Sequence, residues 1–154
     1  MKAKKILSVL FALFLISPVM HGQKSVDKLF SDFSKEKGVE RVSVGKLTMT
    51  FAGFFKNLMG VNGIEVLSFN ECGQSVKKKL NKEIASLKDA NYETMVSANE
   101  EKENTKILVK LQDEFIEEIV VLTTGENPAM VRIKGKIKPS DIENVINKTQ
   151  SDKE

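Results

Sequence analysis

The sequence has few of the residues on which most enzyme active sites depend. Its 154 residues include one cysteine, one histidine and no tryptophan. The histidine, His21, lies in an N-terminal segment that we expect to be removed, so the mature chain lacks a Ser-His-Asp or Cys-His system and any imidazole metal site. One cysteine cannot supply a thiolate cluster. We therefore expect no metal, no cofactor and no enzymatic activity, with carboxylate-only chemistry left open.

Phosphate-binding loops are also missing. Gly60 and Gly63 follow a predicted helix, whereas a phosphate-binding loop joins a strand to the N-terminus of a helix. The sequence therefore gives no indication of nucleotide binding.

The N-terminus has the pattern of a secretory signal peptide. Positive charge comes first, at Lys2, Lys4 and Lys5. An apolar run over 6–16 follows, then Pro18, and the small residue Gly22 offers a cleavage position. The run is shorter than the about 20 residues that span a bilayer. We expect residues 1–22 to be removed, leaving an exported chain, periplasmic or secreted, without a transmembrane segment; an uncleaved anchor is the alternative.

Export also changes the charge balance. The whole sequence has 24 basic and 21 acidic residues. Removal of the three N-terminal lysines leaves 21 of each in the mature chain. Because this mature chain has no net charge, its composition gives no electrostatic basis for nucleic-acid binding. We expect no nucleic-acid partner.

Hydrophobic spacing predicts the secondary structure. Apolar residues three or four positions apart predict helices that begin after Ser25, cover 47–59 and 74–87, and open again at Pro139. Alternating or β-branched runs predict strands over 39–44, 64–69, 92–98, 106–112, 115–123 and 130–138. This order predicts an α+β fold: a single domain over 23–147, with a largely antiparallel sheet and helices packed mainly on one face. Residues 148–154 are expected to form a flexible tail.

Acidic residues concentrate at two predicted turns. They are Glu100, Glu101 and Glu103 in one, and Asp113, Glu114, Glu117 and Glu118 around the other. Neither group has the glycine and alternating spacing of a calcium loop. We interpret both as solvated hairpin surface.

Two other features have a functional and a structural interpretation. Cys72 precedes a predicted helix, whose N-terminal N–H groups could lower the pKa of a thiol. It is either a reactive thiol, a partner in an intermolecular disulfide, or a half-buried residue without a partner. Arg132, Lys134, Lys136 and Lys138 share one side of the last strand. They are either a cationic stripe for an anionic partner or the solvated face of an amphipathic strand, neutralised by Glu117 or Glu118.

The predicted helix over 47–59 has an unusually wide apolar zone. Candidate contact residues on it are Phe51, Phe54, Phe55, Leu58 and Met59. A helix packed on a sheet by one face does not need so wide a zone. Either another helix covers the excess, or the zone contacts a partner or an apolar ligand.

The layout resembles a known family. A signal segment, a Phe-rich first helix, an apolar second helix and a closing strand over 131–137 together resemble the small exported Bacteroidetes proteins grouped as domain of unknown function 4252. The resemblance implies a cell-envelope location and an α+β fold. It implies no activity and assigns no functional residues.

Together these observations predict a non-enzymatic protein-interaction module of the cell envelope. Its expected partner is an envelope or extracellular protein, bound through the 47–59 region and the adjacent sheet edge. The alternative is a protein that binds an apolar small molecule or lipid in a pocket between helices and sheet.

Overall fold

A computed structural model of the protein describes residues 25–41 and 60–143. Helix α1 is Val26–Phe33 and helix α2 is Gln74–Ala85. The strands are β1 (Glu40–Arg41), β2 (Val61–Ser68), β3 (Glu93–Asn99), β4 (Glu103–Gln112), β5 (Phe115–Gly125) and β6 (Ala129–Ile137). Residues 139–143 are helical.

The six strands form one antiparallel sheet. Its order is β1-β2-β6-β5-β4-β3, so β3 to β6 are a meander of consecutive neighbours. Strand β2 pairs with β6, with Ile64 opposite Ile133, and this pairing places β2 next to the last strand of the meander. The expected α+β fold with an antiparallel sheet is confirmed.

A capping residue and an apolar stripe determine where α1 begins and which of its sides is buried. The Ser25 hydroxyl accepts a hydrogen bond from the Lys28 N–H at 3.1 Å, which satisfies a free donor at the first turn. Its buried residues, at helical spacing, are Val26, Leu29, Phe30 and Phe33. The Phe33 ring meets Phe69 edge-on, with centroids 5.5 Å apart, and so anchors the helix beside the end of β2.

Two apolar clusters lie within the fold. The first joins side chains of α1 and α2 to strand residues that include Leu67, Val120 and Leu122. The second contains the alternating strand residues Val66, Ile119, Val121, Val131 and Ile133, together with Ile142 of the 139–143 helix. A sheet with apolar side chains on both faces is an interior layer.

Most expected elements lie where the sequence places them. The predicted strand over 39–44 is described only at β1, and the helix predicted over 47–59 lies outside the described residues. The helix predicted to open at Pro139 begins there.

Candidate functional site

A buried ion pair lies between the sheet and α1. Arg132 of β6 and Glu118 of β5 are 7% and 5% exposed. Arg132 Nε lies 2.9 Å from Glu118 Oε1. These buried atoms attract each other at ion-pair distance, yet neither has the alignment of a hydrogen bond. The pair therefore supplies charge compensation in the interior, without the directional bonds that would add to its stability.

Three further side chains surround this pair. Arg132 Nη2 also lies 2.9 Å from Asp27 Oδ1, at the first turn of α1. The Arg132 guanidinium stacks over the Phe30 ring, 4.3 Å from its centroid. Burial raises the pKa of the Tyr92 hydroxyl, and a hydrogen bond to Glu118 raises it further. The group therefore ties α1 to β5, β6 and the segment before β3.

An open cavity of about 800 Å³ adjoins this polar group. Glu118 and Asp27 line one part of it. Its remaining lining includes Lys110, Lys134, Lys136 and Phe115. Lys110 Nζ lies 3.4 Å from Glu117, and Lys136 Nζ lies 4.4 Å from the centroid of the Phe115 ring. The lining thus mixes both charges and is not the apolar pocket that a lipid would occupy.

The structure divides the proposed cationic stripe. Arg132 is buried against Glu118, which neutralises it, so it does not belong to an exposed row of charge. Lys134, Lys136 and Lys138 are exposed. Lys134 lies opposite Glu118 in the β5–β6 register. The three exposed lysines therefore fit a solvated strand face as well as an anion-binding one.

The two acidic turns differ in the exposure of their carboxylate side chains. Glu100 and Glu101 are exposed, as expected of hairpin surface. Glu118 is not surface, contrary to the sequence-based interpretation, because Arg132 on the neighbouring strand compensates its charge inside the protein. Within residues 25–41 and 60–143, no group of His, Cys, Asp and Glu side chains is arranged to hold a metal ion.

Cys72 is a core residue. It is 7% exposed and belongs to the cluster under α1 and α2. Burial raises the pKa of its thiol, and Glu36 adds to this, while Lys77 acts in the opposite direction. Burial and a raised pKa both lower the reactivity of a thiol.

The candidate contact residues on the helix predicted over 47–59 are not part of the described structure. Phe51, Phe54, Phe55, Leu58 and Met59 all lie outside the described residues.

Strand β3 forms an open edge of the sheet. It pairs with β4 on one side, and no described residue pairs with its other side. Five of its seven residues are exposed. It contains neither lysine nor proline, which commonly protect edge strands from further pairing. The edge does have a bulge between Thr94 and Val96, so its regular part is Val96–Asn99.

Two exposed apolar side chains lie on β3 and on its neighbour β4. Met95, within the bulge of β3, is 43% exposed, and Leu111 of β4 is 46% exposed. No other large hydrophobic side chain among the described residues is classed as exposed. The sequence analysis did not single out either residue, although the adjacent apolar pair Met95-Val96 breaks the alternation of the strand and is a signal of the bulge. Free backbone groups and apolar side chains together can bind an extended segment of another chain.

The described residues thus form a small α+β fold around one antiparallel sheet of six strands. The sequence profile of the domain of unknown function DUF4252 matches residues 33–145. The chain belongs to this family. Comparison with curated proteins and with solved structures finds no match.

No helix within residues 25–41 and 60–143 is long and apolar enough to cross a membrane.

Proposed function

We propose that this protein is an exported, non-enzymatic interaction module of the bacterial cell envelope, which binds another protein by adding a strand to β3. The signal-like N-terminus supports export to the periplasm or beyond the cell. The resemblance of the chain to small exported Bacteroidetes proteins supports an envelope location in such a bacterium. We further propose that the helices of this module lie mainly on one face of the sheet, since α1 and α2 both pack in the first apolar cluster.

The open β3 edge is the observation that carries this proposal. Its outward N–H and C=O groups are unpaired within the described residues, and Val96–Asn99 is regular enough to continue the ladder. Met95, at the start of this edge, then provides an apolar contact beside the new strand. In binding by strand addition, backbone hydrogen bonds supply affinity and such side-chain contacts supply selectivity.

The alternative of an apolar ligand has less support. The cavity beside Glu118 is open and lined by charged side chains, including Lys110 and Lys134. No feature of the described residues favours a lipid over water there, so the interaction module is the proposal that we retain.

Affinity capture with paired variants tests the proposal. The mature protein is used as bait in solubilised envelope and culture fluid, beside Met95→Lys and Ser75→Lys. Met95 is 43% exposed at the edge, and Ser75 is exposed on α2, so both variants should fold. We expect a specific protein to be retained by wild type and Ser75→Lys and lost with Met95→Lys, because a lysine blocks edge pairing. Equal retention by all three baits would rule out the β3 edge as the binding surface.

Export has a separate test. The intact mass of the protein recovered from its source should correspond to a chain that begins at Gln23. A full-length mass in the cytoplasmic fraction would contradict export without bearing on the edge strand.

A further inference from the structure

A half-buried lysine lies one strand inward from the open β3 edge. Lys106 of β4 is opposite Ser97 of β3 on one side and opposite Leu122 of β5 on the other. Leu122 belongs to the apolar cluster that contains α1 and α2, so this row of three side chains lies on the helix side of the sheet. Because Ser97 is small and exposed, it leaves room for the Lys106 side chain to extend towards the edge.

Lys106 has no compensating acid in the part of the chain that the structure describes. It takes part in none of the ion pairs found there, whereas Lys110 on the same strand lies 3.4 Å from Glu117. Charges that are partly buried are screened less by water and salt than fully exposed ones. A carboxylate brought to Lys106 by a partner would therefore be attracted more strongly than one brought to an exposed surface lysine.

A cavity of about 320 Å³ adjoins this lysine on the helix side. Asn81 of α2 and the β3 residues Ser97 and Asn99 contribute to its lining. Of the described residues that line it, Lys106 is the only one with a charge. The site beside the edge thus combines one cation with uncharged hydrogen-bonding groups, which suits an acidic side chain.

The neighbouring row of side chains, on the other face of the sheet, is apolar. Val96 lies opposite Ile107, which in turn lies opposite Val121 of the second apolar cluster. Val96 and Ala98 are half-buried. Directly opposed residues of paired strands share a face. In a strand added to β3, a residue opposite Val96 would therefore meet apolar surface, and the adjacent residue, opposite Ser97, would face the lysine.

We propose that the segment added to β3 is an alternating one, with an aspartate or glutamate opposite Ser97 and aliphatic residues at the two adjacent positions. This inference rests on the proposed strand addition and names the chemistry of its partner. The added strand would lie two strand spacings, roughly 10 Å, from β4. The flexible stem of Lys106 and the shorter side chain of a glutamate, both directed towards Ser97, together bridge that distance.

Charge favours such a partner over a second copy of this chain. Glu93 is the only charged residue of β3. It lies opposite Val109 of the second cluster, and hence on the face away from α1 and α2. Antiparallel pairing of two β3 strands would place both Lys106 side chains on one face, with no carboxylate from either strand. A different segment, with an acid at this position, removes that mismatch.

Peptide binding measured by fluorescence anisotropy tests the inference. The probe is a labelled seven-residue peptide in which valine alternates with threonine and the central residue is glutamate; its counterpart has a central lysine. We expect wild type to bind the glutamate peptide more tightly by about tenfold. This preference should disappear with Lys106→Gln and reverse with Lys106→Glu. Lys78→Glu, at an exposed position of α2, makes the same change of charge and should keep the wild-type preference.

The outcomes separate this inference from the proposed function. Met95→Lys should block both peptides, because it closes the edge itself. Equal binding of the two peptides, blocked by Met95→Lys, would overturn the acidic partner and leave strand addition intact. A preference that survives Lys106→Gln, or that is lost with Lys78→Glu, would contradict the role of Lys106. Failure of wild type to bind the glutamate peptide at about millimolar concentration would also overturn the inference, and affinity capture would then decide strand addition by itself.

Discussion

The backbone N–H of Val26 donates a hydrogen bond to Asp89 Oδ2 at 2.9 Å, across 63 residues of sequence. Val26 is the first residue of α1, where N–H groups have no partner within the helix. Asp89 Oδ1 also accepts from the backbone and side chain of Asn91, each at 3.0 Å. A loop after α2 therefore caps α1 and fixes its position.

This cap makes stability depend on pH. Burial alone would raise the pKa of Asp89, but the hydrogen bonds from Val26 and Asn91 outweigh it and hold the pKa below its ordinary 3.8. A carboxyl group with a lowered pKa stabilises the fold above its unfolded pKa, and this contribution is lost as the pH falls through the folded value. We expect Asp89→Ala to lower the free energy of unfolding by about 1 kcal/mol at neutral pH.

The measurement is urea unfolding at pH 7 and at decreasing pH below 3.8, with the exposed Glu114→Ala as control. The difference between wild type and Asp89→Ala should shrink in acid, whereas Glu114→Ala should follow wild type throughout. If the difference in unfolding free energy between wild type and Asp89→Ala did not change with pH, the charge of Asp89 would not be what stabilises the start of α1.

Breaking the buried ion pair should be costly. Arg132→Met leaves the Glu118 carboxylate in the interior with one partner fewer, and loss of one member of a buried pair typically costs about 3–5 kcal/mol. Replacing both, as Arg132→Met with Glu118→Leu, removes the uncompensated charge and should recover much of the loss. Thermal unfolding of the two single variants and the double variant gives the coupling free energy between Arg132 and Glu118. A double variant as unstable as the sum of the singles would contradict the pair as described.

Gly125 is required by the backbone at the end of β5. Its φ is +111°, and a Cβ there would overlap the carbonyl oxygen of Lys102. Gly125→Ala should therefore destabilise the fold by more than about 1 kcal/mol. Gly73 is the control, because nothing lies within 4 Å of a Cβ built on it, and Gly73→Ala should cost less. Equal unfolding midpoints would show that the β5–β6 turn relaxes at no cost.

Cys72 should be unreactive in the folded protein. Burial raises the pKa of the thiol, and the residue is 7% exposed. We expect a thiol reagent at neutral pH to modify it far more slowly in native protein than in urea, in parallel with the opening of the core. Rapid modification under native conditions would revive its interpretation as a reactive thiol.

The sequence predicts the fold better than the site, for physical reasons. Hydrophobic periodicity is local, so α1, α2 and the four strands of the meander could be identified from spacing alone. The order of β2 beside β6 depends on contacts between distant residues, such as Ile64 with Ile133, which spacing does not encode. Both interpretations of the stripe place the Arg132 side chain at the surface, because alternation gives the side of a strand but not which side chains on that side are buried.

The edge strand shows the same limit. Spacing predicts a strand at β3 but not that it lies at the end of the sheet, because position in a sheet is a property of the whole topology. Exposure of Met95 follows from that position, so this residue could not be singled out beforehand.

Hydrogen–deuterium exchange along β3 tests strand addition most directly. In the free protein, amides of Val96–Asn99 that point away from β4 should exchange quickly, because no described residue accepts from them. When the protein captured by affinity is added, these amides should become protected, and α2 should be unchanged. Protection confined to α2 or to the cavity beside Glu118, with β3 still exchanging quickly, would contradict β3 as the docking strand.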